Sequence, residues 1–237
     1  MKVSICQFVE LITLDPSRPM GVYDCYLVMR PLIETTMGGI LGFELPDDDR
    51  ITLCMQALDG LHFLHTNGCM HRDIKLDNIL ASPKPLQAVI IDFGCATWDT
   101  QSLDHGVGTI RYLAPEILDI KYESSTVPYN RSVDIWSLGL TMYEFMCRWR
   151  FRGEYMTRRQ HDLILQQSHW RPPVRGAGTQ KLFDLVNLMI TWKPENRTTT
   201  DIVIQTATAS GLFQNINPQS PVPGSKRLGD DIHRETT

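Results

Sequence analysis

The residues with the most chemical potential lie in two short blocks. His71-Arg72-Asp73-Ile74-Lys75-Leu76-Asp77-Asn78 sets a carboxylate, an ammonium and an amide within six positions, and Asp92-Phe93-Gly94 adds a second carboxylate fourteen residues beyond Asn78. Asp73 can take a proton from a hydroxyl, and Lys75 supplies a cation two residues on. Asn78 and Asp92 offer hard oxygen ligands of the kind Mg²⁺ prefers to thiolates. A base, a cation and a pair of oxygen donors suit attack on a phosphoryl group, where positioning and charge stabilisation carry most of the catalysis. A third block, Gly108-Thr109-Ile110-Arg111-Tyr112-Leu113-Ala114-Pro115-Glu116, follows in order.

The surrounding pattern shows how these side chains could be positioned. Two short apolar runs, Ile79-Leu80-Ala81 and Ala88 to Ile91, flank Ser82-Pro83-Lys84-Pro85, so a hairpin brings Asn78 and Asp92 together. Upstream, Ile51, Met55, Leu58, Leu61, Phe63 and Leu64 recur at helical spacing, and Asp47-Asp48-Asp49 suits a helix N-terminus, which predicts one long amphipathic helix from Asp47 to Thr66. Ser132 to Met146 is apolar nearly all round and predicts a buried helix. Helical patterns also cover Arg158 to Gln167 and Lys181 to Thr191. Val3 to Leu14 and Tyr23 to Met29 predict a hairpin about the turn-forming Asp15-Pro16-Ser17-Arg18-Pro19, and the polar, Pro- and Ser-rich stretch after Phe213 predicts a disordered tail.

With these blocks in this order the chain resembles the eukaryotic protein kinases, whose signature is an H-R-D-x-x-x-x-N catalytic loop followed by D-F-G. The resemblance implies an α+β, two-lobe fold with a mainly helical C-terminal lobe. It implies ATP and Mg²⁺ as cofactors, a protein substrate, Asp73 as base and Lys75 as the cation over the γ-phosphate. Asn78 and Asp92 would be the metal ligands. By the same resemblance Glu116 would pair with Arg197, Asp134 would hold the catalytic-loop backbone, and Arg72 would receive a phosphate from the activation segment, where Thr97, Thr100, Ser102 and Thr109 are candidates. Thr109 also suits the substrate-docking loop. Lys75 with Thr109 looks like the serine/threonine pattern, with dual specificity still open.

Such kinases bind adenine through a backbone carbonyl one residue, and a backbone N–H three residues, after a gatekeeper. A gatekeeper at Val28 would put the donor on Pro31, which has no N–H. Met29 is therefore the better gatekeeper, with Arg30 and Leu32 as the binding positions and Leu80 as the adenine floor.

The pattern departs from the family before the hinge. Lys2 is the only lysine ahead of Met29, and the glycines of Gly38-Gly39-Ile40-Leu41-Gly42 come after the hinge and do not fit a G-x-G-x-x-G loop. The expectation is a small lobe reduced to about two strands in residues 1–32, a C-terminal lobe over 33–213 and a tail over 214–237, with feeble or absent turnover. A catalytically silent kinase-like binding module is the main rival. A small-molecule phosphotransferase is disfavoured by the Gly108–Glu116 block.

Composition sets the remaining bounds. A formal net charge of −4 over 237 residues argues against nucleic-acid partners. No run reaches the roughly 18 apolar residues of a membrane span. Six cysteines without C-x-x-C spacing read as reduced thiols of an intracellular protein. His62 and His65, at i and i+3, could ligate a metal, although packing or surface roles are commoner. Cys95 could be reactive, although a buried inert thiol is the commoner case.

Overall fold

A computed structural model of the chain describes residues 7–13, 25–148, 150, 155–159, 161 and 177–213. The turn Asp15–Pro19, most of the Arg158–Gln167 pattern and the tail beyond Phe213 lie outside these residues. Among the described residues two antiparallel two-stranded sheets and five α-helices form the named elements. β1 (Gln7–Thr13) pairs with β2 (Cys25–Arg30), Phe8 opposite Met29, with an irregularity between Phe8 and Glu10. The hairpin expected before the hinge therefore forms.

α1 (Asp47–Thr66) begins after Pro46 with three acidic residues in its first turn, where the helix dipole favours them. It stops at Thr66, and the chain turns away two residues on at Gly68, whose φ of +77° is one that glycine adopts without strain. The helix is more deeply enclosed than an amphipathic surface helix: Leu53, Cys54, Met55, Ala57, Leu58 and Leu61 are all shut off from solvent. Phe63, assigned to the apolar stripe by its spacing, faces outward instead.

β3 (Ile79–Pro83) and β4 (Leu86–Ile90) form the second hairpin, with Ile79 opposite Ile90. The strands run further into the Ser82–Pro85 stretch than the apolar residues alone indicate, leaving a turn at Lys84-Pro85. α1 braces this hairpin through Gln56, which donates to Leu86 O at 3.3 Å and accepts from Ala88 N at 2.6 Å. The segment just after the hinge runs along β3: Met37 N donates to Ile79 O at 2.8 Å and Ala81 N to Thr35 O at 3.0 Å.

The remaining helices are α2 (Pro115–Glu123), α3 (Ser132–Cys147), α4 (Ala177–Met189) and α5 (Thr200–Ala209). α3 is buried on all sides, as its composition requires, and packs against α1 and α4. Gly139 lets α3 approach the end of α4 closely, since a Cβ there would lie 2.8 Å from Ile190 Cγ2. α2 and α5 have no clear apolar periodicity. They are set by proline at the first turn of α2 and by Thr199, whose Oγ1 accepts from Ile202 N at the start of α5. Among the described residues no helix is long and apolar enough to cross a membrane.

Candidate active site

Asp73 lies at the floor of the site and is almost fully enclosed by its partners. Thr109 Oγ1 donates to its Oδ1 at 2.7 Å, while Lys75 Nζ and Asn78 Nδ2 donate to Oδ2 at 2.7 and 2.9 Å. Lys75 Nζ also reaches Thr109 Oγ1 at 2.7 Å, so a base, a cation and a hydroxyl close a three-membered network. Thr109 belongs to the third sequence block, 36 residues from Asp73. The backbone turns there at Gly108, whose φ is +86° and whose Cβ, if it had one, would sit 2.5 Å from Arg72 O.

The catalytic-loop backbone hangs on Asp134. This carboxylate, entirely buried at the start of α3, accepts from His71 N at 2.9 Å, Arg72 N at 2.7 Å and His65 Nε2 at 3.0 Å. Burial alone would raise its pKa. The hydrogen bond from His65, the proximity of His65 and His71 and the His71 N–H outweigh that and hold the carboxyl below its usual range. Of the two helical histidines, His65 thus serves the catalytic loop. His62 lies 3.4 Å from Thr200 Oγ1 on α5. Among the described residues no group of three or more His, Cys, Asp or Glu side chains could hold a metal.

Arg72 and Asp92 both have left-handed backbone, with φ of 66° and 64°. Such conformations cost about 1–3 kcal/mol each in non-glycine residues and are found where function requires them. The Arg72 side chain donates to Cys95 O and approaches Asp104 Oδ2 and Tyr129 Oη, both at 3.4 Å. Its guanidinium thus meets the activation segment at Asp104. Ser102 is held to Tyr129 by a reciprocal backbone pair at 2.9 Å. Cys95 is half-buried, and Cys54, Cys69 and Cys147 are likewise free thiols.

The second hairpin brings Asn78 and Asp92 together as expected, since Ile91 N donates to Asn78 O at 2.9 Å. Both amide hydrogens of Asn78 are directed to Asp73, one to its carbonyl and one to its carboxylate, each at 2.9 Å. That orientation leaves the amide oxygen as the outward donor. Asp92 is exposed, its Oδ1 accepting only a long bond from Gly94 N at 3.3 Å. One amide and one carboxylate oxygen fit Mg²⁺, which keeps several waters and takes few protein ligands.

Leu80 is half-buried on β3, bridged to Thr36. Met29 and Arg30 end β2, and the Leu32 side chain is 90% exposed, which a backbone contact to adenine permits. Arg197 and Glu116 form a bidentate pair, Nη1–Oε1 at 2.6 Å and Nη2–Oε2 at 3.0 Å. The guanidinium also donates to Thr191 O, Ser132 O and Trp192 O and stacks over Trp136. Sequence reading missed His65, Tyr112, Glu144, Asp77 and Arg150. Tyr112 Oη donates to the buried Glu144 at 2.5 Å, and Arg150 grips Asp77 across 73 residues. Glu144, an acid within the apolar run of α3, and His65, a histidine on α1, were visible as residues but not as partners.

A family model described as "Protein kinase domain" matches residues 23–208. The chain therefore belongs to the protein kinase domain family. It is 38% identical over 124 residues to human mitogen-activated protein kinase 13, covering 52% of this chain and 32% of that protein. It is 30% identical over 185 residues to human serine/threonine-protein kinase Nek5, covering 77% and 24% respectively. A Caenorhabditis briggsae calcium/calmodulin-dependent protein kinase type 1 is 36% identical over 104 residues, covering 43% and 28%. The chain thus spans about a third or less of each of these relatives. Protein kinase domains take ATP as substrate, generally with Mg²⁺.

Proposed function

We propose that this chain carries the phosphoryl-transfer site of a protein serine/threonine kinase, moving the γ-phosphoryl of ATP to a serine or threonine hydroxyl of a protein. The closed Asp73–Lys75–Thr109 network carries this reading. A substrate hydroxyl approaching Asp73 finds an oriented carboxylate to accept its hydrogen bond and then its proton. Lys75, held by that carboxylate and by Thr109, lies where it can offset negative charge as the phosphoryl group migrates. Asp134 fixes the loop backbone so that these groups need not reorganise during the reaction. Asn78 Oδ1 and Asp92 would hold Mg²⁺, which supplies charge neutralisation on the nucleotide phosphates. Met29, Arg30 and Leu32 with Leu80 would receive the adenine. The free thiols suit a reducing intracellular compartment.

These 237 residues contain no Gly-rich loop and no anchoring lysine before the hinge. The same observation favours a second reading, a silent module that binds partners through its helical lobe. Incubation with γ-labelled Mg²⁺-ATP and a mixture of acidic and basic proteins separates the two. The kinase reading predicts label on serine or threonine that disappears in Asp73→Asn. Label no higher than in that variant contradicts it and favours the silent module.

A further inference from the structure

Asp77 is the one acidic residue of the catalytic loop besides Asp73, and it does not face an empty surface. Arg150, from the segment after α3, takes both its oxygens, Nη1 to Oδ2 at 2.8 Å and Nη2 to Oδ1 at 2.7 Å. The pair is partly exposed, with 36% of the Arg150 and 49% of the Asp77 side chain accessible. It is seated on Gly38 of the post-hinge segment: a Cβ there would lie 2.2 Å from Arg150 Nη2 and 2.4 Å from Asp77 Oδ1. Gly38 N in turn donates to Leu76 O at 3.2 Å. Three separate segments therefore converge at the mouth of the site, one residue from Asn78 and four from Asp73.

By the reading above, the neighbouring block that carries Thr109 docks the protein substrate, so the pair would border its path. Arg111 and Tyr112, of the block that carries Thr109, lie close enough to interact electrostatically with Asp77, and Arg150 acts on Tyr112 and Glu144 as well. The hydrogen bond from Arg150 is the largest influence on the Asp77 carboxyl and holds it below its ordinary range. A carboxylate here, left open, would attract a basic substrate side chain. With both oxygens engaged by an internal guanidinium, it has no bidentate position left to offer.

We propose that Arg150 is a specificity-determining residue, occupying Asp77 so that substrate segments with basic side chains beside the phosphoacceptor gain no advantage. The proposal rests on the protein-substrate reading above, but its test reads binding rather than turnover. It uses synthetic peptides around one serine, with Arg, Ala or Glu in turn at each of the three positions on either side. Affinities are measured by fluorescence anisotropy for the unmodified chain, Arg150→Ala, Arg150→Gln and Arg150→Ala with Asp77→Asn, each checked for folding by thermal unfolding.

The unmodified chain is expected to bind Arg peptides no more tightly than Ala peptides. Either single variant should bind an Arg peptide about three- to fivefold more tightly than its Ala counterpart, the scale of a partly exposed ion pair. Asp77→Asn should erase that gain. An Arg preference already present in the unmodified chain, no gain in both folded Arg150 variants, or no binding of any peptide by any variant would overturn the proposal. Loss of phosphoryl transfer with the peptide pattern intact would instead count against the kinase reading alone.

Discussion

Breaking the Glu116–Arg197 pair should destabilise the helical lobe far more than removing an ordinary surface ion pair. The Arg197 side chain is fully buried, and all five of its N–H donors are used, two on Glu116 and one each on Thr191, Ser132 and Trp192 carbonyls. Glu116→Gln keeps the shape but leaves a buried guanidinium without its counter-charge, a loss of about 3–5 kcal/mol for such pairs. At about 2–4 °C per kcal/mol for a domain of this size, Tm should fall by about 10 °C. Arg197→Met should cost a similar amount, because it leaves three carbonyls and a carboxylate without their donor. The double variant should then be no worse than Arg197→Met alone, since the uncompensated charge is gone. Thermal unfolding followed by circular dichroism reads all three. A change under 2 °C for Glu116→Gln, or a double variant whose loss equals the sum of the singles, would refute the reasoning.

Three further outcomes follow from other contacts. Asp134 has a folded-state pKa below its unfolded value, so its contribution to stability is complete above the usual carboxylate range of about 4 and is lost as pH falls through the depressed value. Asp134→Asn should be less stable at neutral pH and show a shallower acid limb in unfolding midpoints measured from pH 7 to 3. Gly108→Ala should lose activity more than stability, because a Cβ at φ +86° would press on Arg72 O and shift the catalytic loop; label transfer and Tm measured side by side check the split. Arg50, buried and donating to Phe145 O at 2.8 Å, Leu41 O at 3.1 Å and Phe43 O at 2.7 Å, should cost about 2–4 kcal/mol when changed to Met, read by denaturant midpoint.

The parts of the fold that were legible in sequence are those with local signals. α1 and α3 carry their own periodicity or continuous apolarity, and the β3–β4 hairpin has two apolar runs about a proline-rich turn. α2 and α5 escaped notice because they are short and defined by their first turns and by packing, neither of which gives a periodic stripe. For the site, Asp73, Lys75, Asn78 and Asp92 were readable because their spacing is fixed by one loop and one hairpin. His65 was visible as a histidine but its partner, 69 residues away on α3, was not. Asp77 and Arg150 look like ordinary surface charges until the chain folds, since nothing in either neighbourhood marks the other. Asp104 lies 32 residues from Arg72, and nothing near either residue marks the other.

The most direct test of the account is the thermal shift produced by Mg²⁺-ATP in the purified chain and in Asp92→Ala. A ligand present at ten times its Kd raises stability by about 1.4 kcal/mol, which corresponds to about 4 °C here. The account predicts a shift that needs both Mg²⁺ and nucleotide and is abolished in Asp92→Ala. A folded chain with no shift at millimolar ATP, or a shift of equal size in Asp92→Ala, would contradict it.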